Sequence, residues 1–310
     1  MALNKKAVFF TLITITILTL FATTYTAHTL FEDRAPTNKR ITTLNNFVAS
    51  IEQDLPRQTY ISGYRALFLF NKQIVDNGIY ISDLNASLNE IFFNASLNGI
   101  HQDLMDDATF SSLENFLTTN AERINANLTL QDPTISISQE DPWHVKITLN
   151  ATLIIHDKGE LASWNKTTST VSLVPIANLE DPIYSKNTQG KILNKITQTP
   201  HQTFVTGVDY TNLEDHFQNS LYITSTSAPN FLMRLQGNLS SSPTGIESIV
   251  NPQMLADAGI AVKYKTLVDY IYFSTSDPTK YNIPAIPNLI LDNKDNHLEI
   301  YNVSVVAILV

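Results

Sequence analysis

The chain has 310 residues, a formal net charge of −9 and no cysteine. The missing thiols exclude disulfide frameworks, thiolate metal sites and thiol catalysis. Its acidic charge is dispersed and its basic residues cluster only at Lys5-Lys6 and Lys39-Arg40, which argues against nucleic acid as a partner, since phosphate backbones need grouped Lys and Arg.

Positions 7–31 contain no Lys, Arg, Asp or Glu. That run exceeds the roughly 20 residues with which an α-helix crosses hydrocarbon. A cleavable signal has an apolar stretch of about 7–15 residues followed by a small-residue site; here Ala22-Thr23-Thr24 is a poor site and the apolar run continues past it. The segment therefore reads as a retained transmembrane helix with the lipid bilayer as its partner. Lys5 and Lys6 precede it, and Glu32, Asp33 and Arg34 follow it without net positive charge. The positive-inside bias then makes 1–6 a cytoplasmic leader and puts the bulk of the chain outside the cell membrane.

Asn4-Lys5-Lys6-Ala7 followed by Val8-Phe9-Phe10-Thr11-Leu12-Ile13 resembles the leader and hydrophobic start of type IV pilin-like proteins. The resemblance implies leader cleavage at Lys6, Ala7 and Val8, and a helix that associates with copies of itself or with other pilin-like subunits. The family carries Glu five places after the cut. Leu12, or Thr14 in the alternative register, stands there in this chain, so the uncut anchor is the first expectation.

Region 32–126 reads as a helical stalk and helical region. Ile41, Leu44, Val48, Ile51 and Leu55 recur at spacings of three and four, an amphipathic seam that Pro56 is expected to end. A second helix over 60–75 would turn Tyr60, Tyr64, Leu67, Phe68 and Ile74 inward. A third over 83–96 has Asp83 as N-cap and Leu84, Leu88, Ile91 and Phe92 inward. A fourth runs from 109 or 111 to 125, with Phe110, Leu113, Phe116, Leu117 and Ile124 inward.

Region 127–310 is expected to be β-rich and extracytoplasmic. Trp143, Val145, Ile147, Leu149, Ala151 and Leu153 alternate with polar neighbours, 157–160 is a turn, and 161–174 returns as the second arm of a hairpin. A strand over 128–138, interrupted by Asp132-Pro133, pairs beside it. Beyond Pro175 the reading is short helices at 212–219 and 230–235 and strands at 246–250, 267–273 and 298–310, the last a buried terminal strand. The fold class is thus α+β: an N-terminal transmembrane helix continued by an amphipathic one, a helical region, then a mainly antiparallel β-sheet region.

Asp141-Pro142-Trp143, Glu180-Asp181-Pro182-Ile183-Tyr184, Phe231-Leu232-Met233-Arg234-Leu235, Gly245-Ile246-Glu247-Ser248 and Val268-Asp269-Tyr270-Ile271-Tyr272-Phe273 resemble stretches of archaeal membrane-anchored surface proteins without an assigned activity. That resemblance implies a location and an architecture and transfers no catalytic residue.

No two histidines stand at i, i+4, and no zincin, nucleophile-elbow, phosphate-loop or dinucleotide motif is present. Asp209, Glu214, Asp215 and His216 are the densest set of metal-ligand types, but consecutive helical residues fan around the axis, and a solvated helix start is the better reading. The stretch 292–296 reads as a hairpin turn, because Lys294 stands where a calcium loop needs an oxygen. Arg234 and Glu247, charges inside apolar stretches, are expected to meet one another or backbone carbonyls as a structural ion pair. Asn-x-Ser/Thr triplets at Asn85, Asn127, Asn150, Asn165, Asn238 and Asn302 are glycan candidates, with Asn165 favoured over Asn94. No catalytic residue, metal or cofactor is expected. The function these features imply is that of a non-enzymatic, single-pass, membrane-anchored surface protein, a pilin-like component of a surface filament or secretion apparatus. The alternative is an anchored ligand- or glycan-binding module, and a surface hydrolase ranks third.

Overall fold

The computed structural model describes the chain from Lys5 to Val310, with side chains throughout except at positions 5–7 and 27–36. Residues 1–4 of the leader, the Lys6 and Ala7 side chains of the expected cleavage site, and the side chains at the far end of the expected membrane segment lie outside the described residues. The architecture is α+β. In chain order it runs α1 (Lys5–Asn77), α2 (Leu84–Asn94), the two-residue strands β1 (Ser96–Leu97) and β2 (Ile100–His101), and α3 (Phe110–Arg123). The long strands β3 (Ala126–Asp141), β4 (His144–Asp157) and β5 (Ser163–Pro175) follow as a meander in which β4 is central. Short elements complete it: α4 (Pro182–Asn187), α5 (Thr211–Gln218), β6 (Tyr222–Thr224), α6 (Phe231–Leu235), β7 (Ile246–Ser248), α7 (Pro252–Asp257), α8 (Asp269–Tyr272), β8 (Lys280–Asn282), β9 (Ile290–Asp292), α9 (His297–Ile300) and β10 (Ile308–Leu309).

The chain forms two compact units. The first comprises Met1–Asp54, Glu114–Gln131 and Thr152–Thr167, and the second Leu55–Leu113, Asp132–Ala151 and Thr168–Val310.

In the first unit, α1 carries the apolar stretch Val8–Thr26, none of it buried. Further along, the amphipathic seam appears as spaced: Leu44 and Ile51 are buried while Ile41 and Val48 are half-buried. Leu117, Ala121, Ala126, Leu128, Leu130, Leu153 and Ile155 complete the buried apolar set. Arg40 fixes this part of α1, its Nη2 lying 2.6 Å from Asp157 Oδ1 and donating also to the Asn125 carbonyl at 2.9 Å. The Arg40 hydrogen bond holds the Asp157 carboxyl below its ordinary range, against the opposing effect of burial.

Pro56, in the second unit, does not end the helix as the sequence suggests; α1 continues to Asn77. Proline removes one ladder hydrogen bond, but its neighbours Leu55 and Thr59 are buried and its carbonyl accepts from Ser172 Oγ of β5 at 2.6 Å. Packing therefore outweighs the local cost, as it does for most helices in folded proteins.

The inward face of this stretch also differs from expectation. Leu55, Ser62, Ala66, Leu67, Phe70 and Ile74 are buried, whereas Tyr60, Tyr64 and Phe68 are 38–46% exposed. The reason is a close approach. A Cβ on Gly63 would come within 2.6 Å of Ile147 Cγ1 and 3.3 Å of Val174 Cγ2, so the face of small residues lies against β4 and β5 and the aromatic stripe points away. Two neighbouring helices are as read: Asp83 caps α2 by accepting from Ala86 N, and Leu84, Leu88, Ile91 and Phe92 are its buried side. In α3 the exception is Phe116, which is 48% exposed.

Alternation along β4 is strict, with Val145, Ile147, Leu149, Ala151, Leu153 and Ile155 buried. Trp143 lies in the turn before it. β3 runs through Asp132-Pro133 without a break because Asp132 takes a left-handed φ of 49°.

Beyond Pro175 the second unit is built from short pieces around one apolar core that includes Tyr184, Phe217, Ile249, Val268, Ile271, Leu291 and Tyr301. The helices expected near 212 and 230 are α5 and α6. Two expected strands are corrected. Val268 makes a single bridge to Ile249, and the chain then turns into α8, in whose first turn Asp269 Oδ1 accepts from the Tyr270 N–H at 2.6 Å. The terminal run 298–310 is not a buried strand: it begins in α9 and ends as β10 at a sheet edge, with Ile308 and Leu309 exposed and only its early residues, Leu298, Tyr301 and Val303, buried.

Substitution Gly63→Ala should lower stability by about 1–3 kcal/mol, since overpacking against Ile147 exceeds the roughly 1 kcal/mol of helix propensity gained. Urea unfolding of the two proteins measures it.

Candidate functional site

Strand β7 organises the polar interior of the second unit. Ile246, Glu247 and Ser248 have no solvent exposure and pair with Thr224, Ile223 and Tyr222 of β6. Successive residues of a strand face opposite ways, so Glu247 reaches one group of polar side chains and its neighbours another.

The second group centres on Arg234 of α6. Its Nη1 lies 2.6 Å from Asp181 Oδ2 and 2.7 Å from Asp269 Oδ2, and all three side chains are fully buried. Nη2 donates to the Ile246 carbonyl and Nε to the Pro229 carbonyl at 3.4 Å. Asp181 spends its other oxygen as the N-cap of α4, accepting from Ile183 N at 2.8 Å ahead of Pro182. Tyr222 Oη donates to Asp181 at 2.7 Å and Ser248 Oγ to Asp269 at 3.1 Å. Burial, with the like charge of Asp181, raises the Asp269 carboxyl above its ordinary range against the pull of Arg234; on the guanidinium burial opposes the charge, but the two carboxylates outweigh it and raise its pKa.

Glu247 serves the other group. His297 of α9 places Nδ1 2.9 Å from Asp292 Oδ1 and Nε2 3.5 Å from Glu247 Oε2, again with no exposure. Tyr301 Oη donates to Glu247 Oε1 at 3.0 Å. Burial alone would depress the imidazole, but the two carboxylates hold it at about 10, so it is a cation at neutral pH. His216 contrasts with it. Packed against the Phe204 and Tyr301 rings with neither nitrogen hydrogen-bonded, it is depressed by burial to about 4.

Tyr270, itself buried, links this interior to a cleft. Its hydroxyl lies 3.3 Å from His297 Nε2 and 3.3 Å from Asp295 Oδ2. Tyr270 and Asp295 form part of a cleft of about 480 Å³, bounded by Lys294 and by Ser and Thr residues of three loops. Chemically the arrangement offers a buried floor, in which four carboxyl groups surround two cations, under hydroxyl-rich walls.

The expected Arg234–Glu247 pair is not formed. Each is buried and paired, Arg234 with Asp181, Asp269 and the backbone carbonyls that were the other expectation, Glu247 with His297, because the Arg234 group meets β7 at Ile246 and Ser248 while the Glu247 side chain leaves the strand the other way. Asp269 carries the same mark that singled out Arg234, a charge within an apolar run, and could have been found by it. Asp292–Asn296 is likewise no hairpin turn: the Asp292 carboxylate accepts from Lys294 N and contacts His297, joining β9 to α9. As expected, Asp209, Glu214, Asp215 and His216 do not converge. Asp209 accepts from the N–H and hydroxyl of Thr211, Asp215 contacts His201 at 2.6 Å, and His216 is interior. Among the described residues, the set of histidine and acidic side chains close enough to share an ion is His101, Asp103 and Asp106, all exposed, with His101 already 2.9 Å from Asp106.

Of the glycan candidates, Asn85, Asn127, Asn165, Asn238 and Asn302 are exposed and Asn150 is half-buried. Asn302 is tied down, its Oδ1 accepting from Phe204 N; Asn85 and Asn238 similarly accept from Ile137 N and Ser240 N.

Substituting Arg234→Met should cost about 3–5 kcal/mol by stranding two buried carboxylates, and adding Asp269→Asn should recover part of it; guanidinium unfolding of both variants is the measurement. The His297 value sets a pH dependence. Its folded pKa of about 10 lies above the unfolded value near 6.5, so its contribution is complete below pH ~6.5 and is lost as pH rises toward 10. Melts of the wild type should fall across that window, and His297→Gln should flatten the slope while lowering stability at pH 7.

Comparisons with protein-family models, curated proteins and solved structures return no match for this chain.

Proposed function

We propose that the chain is a non-enzymatic, single-pass membrane protein, its N-terminus cytoplasmic and its two folded units displayed outside the cell. The observation that carries this reading is Val8–Thr26, a 19-residue helical stretch of mean hydropathy 1.9 with none of its surface buried. At 1.5 Å per residue it is about 28 Å long, close to the ~30 Å of a hydrocarbon core. Its polar side chains suit that setting. Thr14, Thr16, Thr19, Thr23, Thr24 and Thr26 donate to carbonyls four residues earlier at 2.7–2.9 Å, so these hydroxyls are satisfied within the helix. A signal sequence passes the same test of length and composition, and the distinguishing feature is continuity: the same helix proceeds to Asn77 with buried Leu44, Ile51, Leu55 and Leu67. Removing the apolar stretch would cut into an element that the folded part uses.

That continuity also favours the finer, pilin-like reading, in which one helix has an apolar half free to pack with copies of itself and a second half integrated into a folded head. The surface location agrees with the exposed Asn-x-Ser/Thr sites.

Mass spectrometry of the protein from membrane fractions decides among these. An N-terminus at Met1 is expected for the anchor and one at Val8 for the processed, assembling form. A mature chain beginning after residue 26 overturns both.

A further inference from the structure

The cleft beside Tyr270 is lined by Thr226, Ser227, Ser240, Ser241, Thr275 and Ser276, and among the described residues none of these hydroxyls bonds to another group of the chain. The hydroxyls next to them in sequence are spent. Ser242 contacts Asn230 and Thr244, and Ser274 donates to the Ile271 carbonyl. These six hydroxyls without a partner in the chain come from three separate loops, and all six line the cleft.

The charge around them selects against ions. Lys294 and Asp295 on the rim are 3.9 Å apart and offset one another. Behind Tyr270, the buried carboxyl groups Asp181, Glu247, Asp269 and Asp292 outnumber the cations Arg234 and His297. An anion would meet that field unfavourably, and the site supplies only one lysine to hold it. A neutral ligand rich in hydroxyls meets none of this cost. Each Ser or Thr can both donate and accept, as each sugar hydroxyl can, and Leu239 and Ile271 give the walls an apolar strip for C–H faces. The volume, about 480 Å³, falls in the range of small-molecule sites.

We propose that this cleft is a binding site for a neutral saccharide. Tyr270 fixes one end of it: its hydroxyl, oriented by His297 and Asp295, is already aligned when the ligand arrives, which lowers the ordering cost of binding. The loop hydroxyls supply the remaining contacts. This site is independent of whether the N-terminal helix is cut or polymerises.

The test uses the full chain in phosphatidylcholine nanodiscs, avoiding detergents with sugar headgroups, and saturation-transfer NMR with maltose, cellobiose, mannobiose and chitobiose as probes, alongside inorganic phosphate and sulfate. At least one disaccharide should bind with a Kd in the millimolar range or tighter. The triple variant Ser227→Ala, Ser241→Ala, Thr275→Ala should weaken it by about tenfold or more with an unchanged melting curve, since each lost hydrogen bond contributes a few-fold. Should the triple variant fold poorly, Ser241→Trp, a single exposed position, should block binding sterically. No saccharide signal at about 20 mM, the range of very weak sites, overturns the proposal, as do preferential binding of phosphate or sulfate and a folded variant that binds like wild type.

Discussion

Arg234 is the residue around which the second unit is arranged. A guanidinium with no solvent exposure has to be matched by acceptors on every edge, and here they come from Asp181, Asp269, Ile246 and Pro229. Those acceptors sit at the N-cap of α4, on α8 and β7, and in the segment before α6. Because the region beyond Pro175 consists of two- to eight-residue elements, regular ladders cannot hold it together, and the cation takes over part of that task. Asp181 shows how tightly the requirement propagates: one oxygen caps a helix while the other receives the guanidinium and a tyrosine hydroxyl.

The neighbouring Glu247–His297–Asp292 set repeats the principle with the same signs, two carboxylates around one imidazolium. β7 supplies both sets from consecutive residues, and Tyr270 connects the imidazole to the cleft. The walls of that cleft are loops, yet their base is among the least exposed parts of the chain. Recognition surfaces are commonly built this way, with variable loops on a fixed support.

What the sequence discloses depends on whether the signal is local. The seam at Leu44 and Ile51, the Asp83 cap and the alternation of β4 are properties of neighbouring residues, and each is visible as spacing. The inward face of α1 after Leu55 is not, because apolarity marks Tyr60, Tyr64 and Phe68 while closeness of approach selects Ser62, Gly63 and Ala66. Pro56 misleads for a related reason: its local cost is real, but Ser172 and the buried flanks outweigh it. At the carboxyl end, an apolar run suggested a strand, and no ladder awaited it beyond the edge of β8. Arg234 and Glu247 announce themselves as charges in apolar surroundings, whereas the choice of Asp181, Asp269 and His297 as partners is decided by tertiary placement. The cleft was invisible for the same reason, since its hydroxyls lie in three loops whose Ser and Thr look like ordinary surface.

The buried arginine also limits how this protein can change over evolutionary time. A lysine in place of Arg234 could not reach four acceptors from one point, and loss of either aspartate would leave the cation short of a partner, so each single step passes through a less stable chain. Asp181, Arg234 and Asp269 therefore depend on one another as a block. An apolar core at this position becomes accessible only when all three are exchanged together.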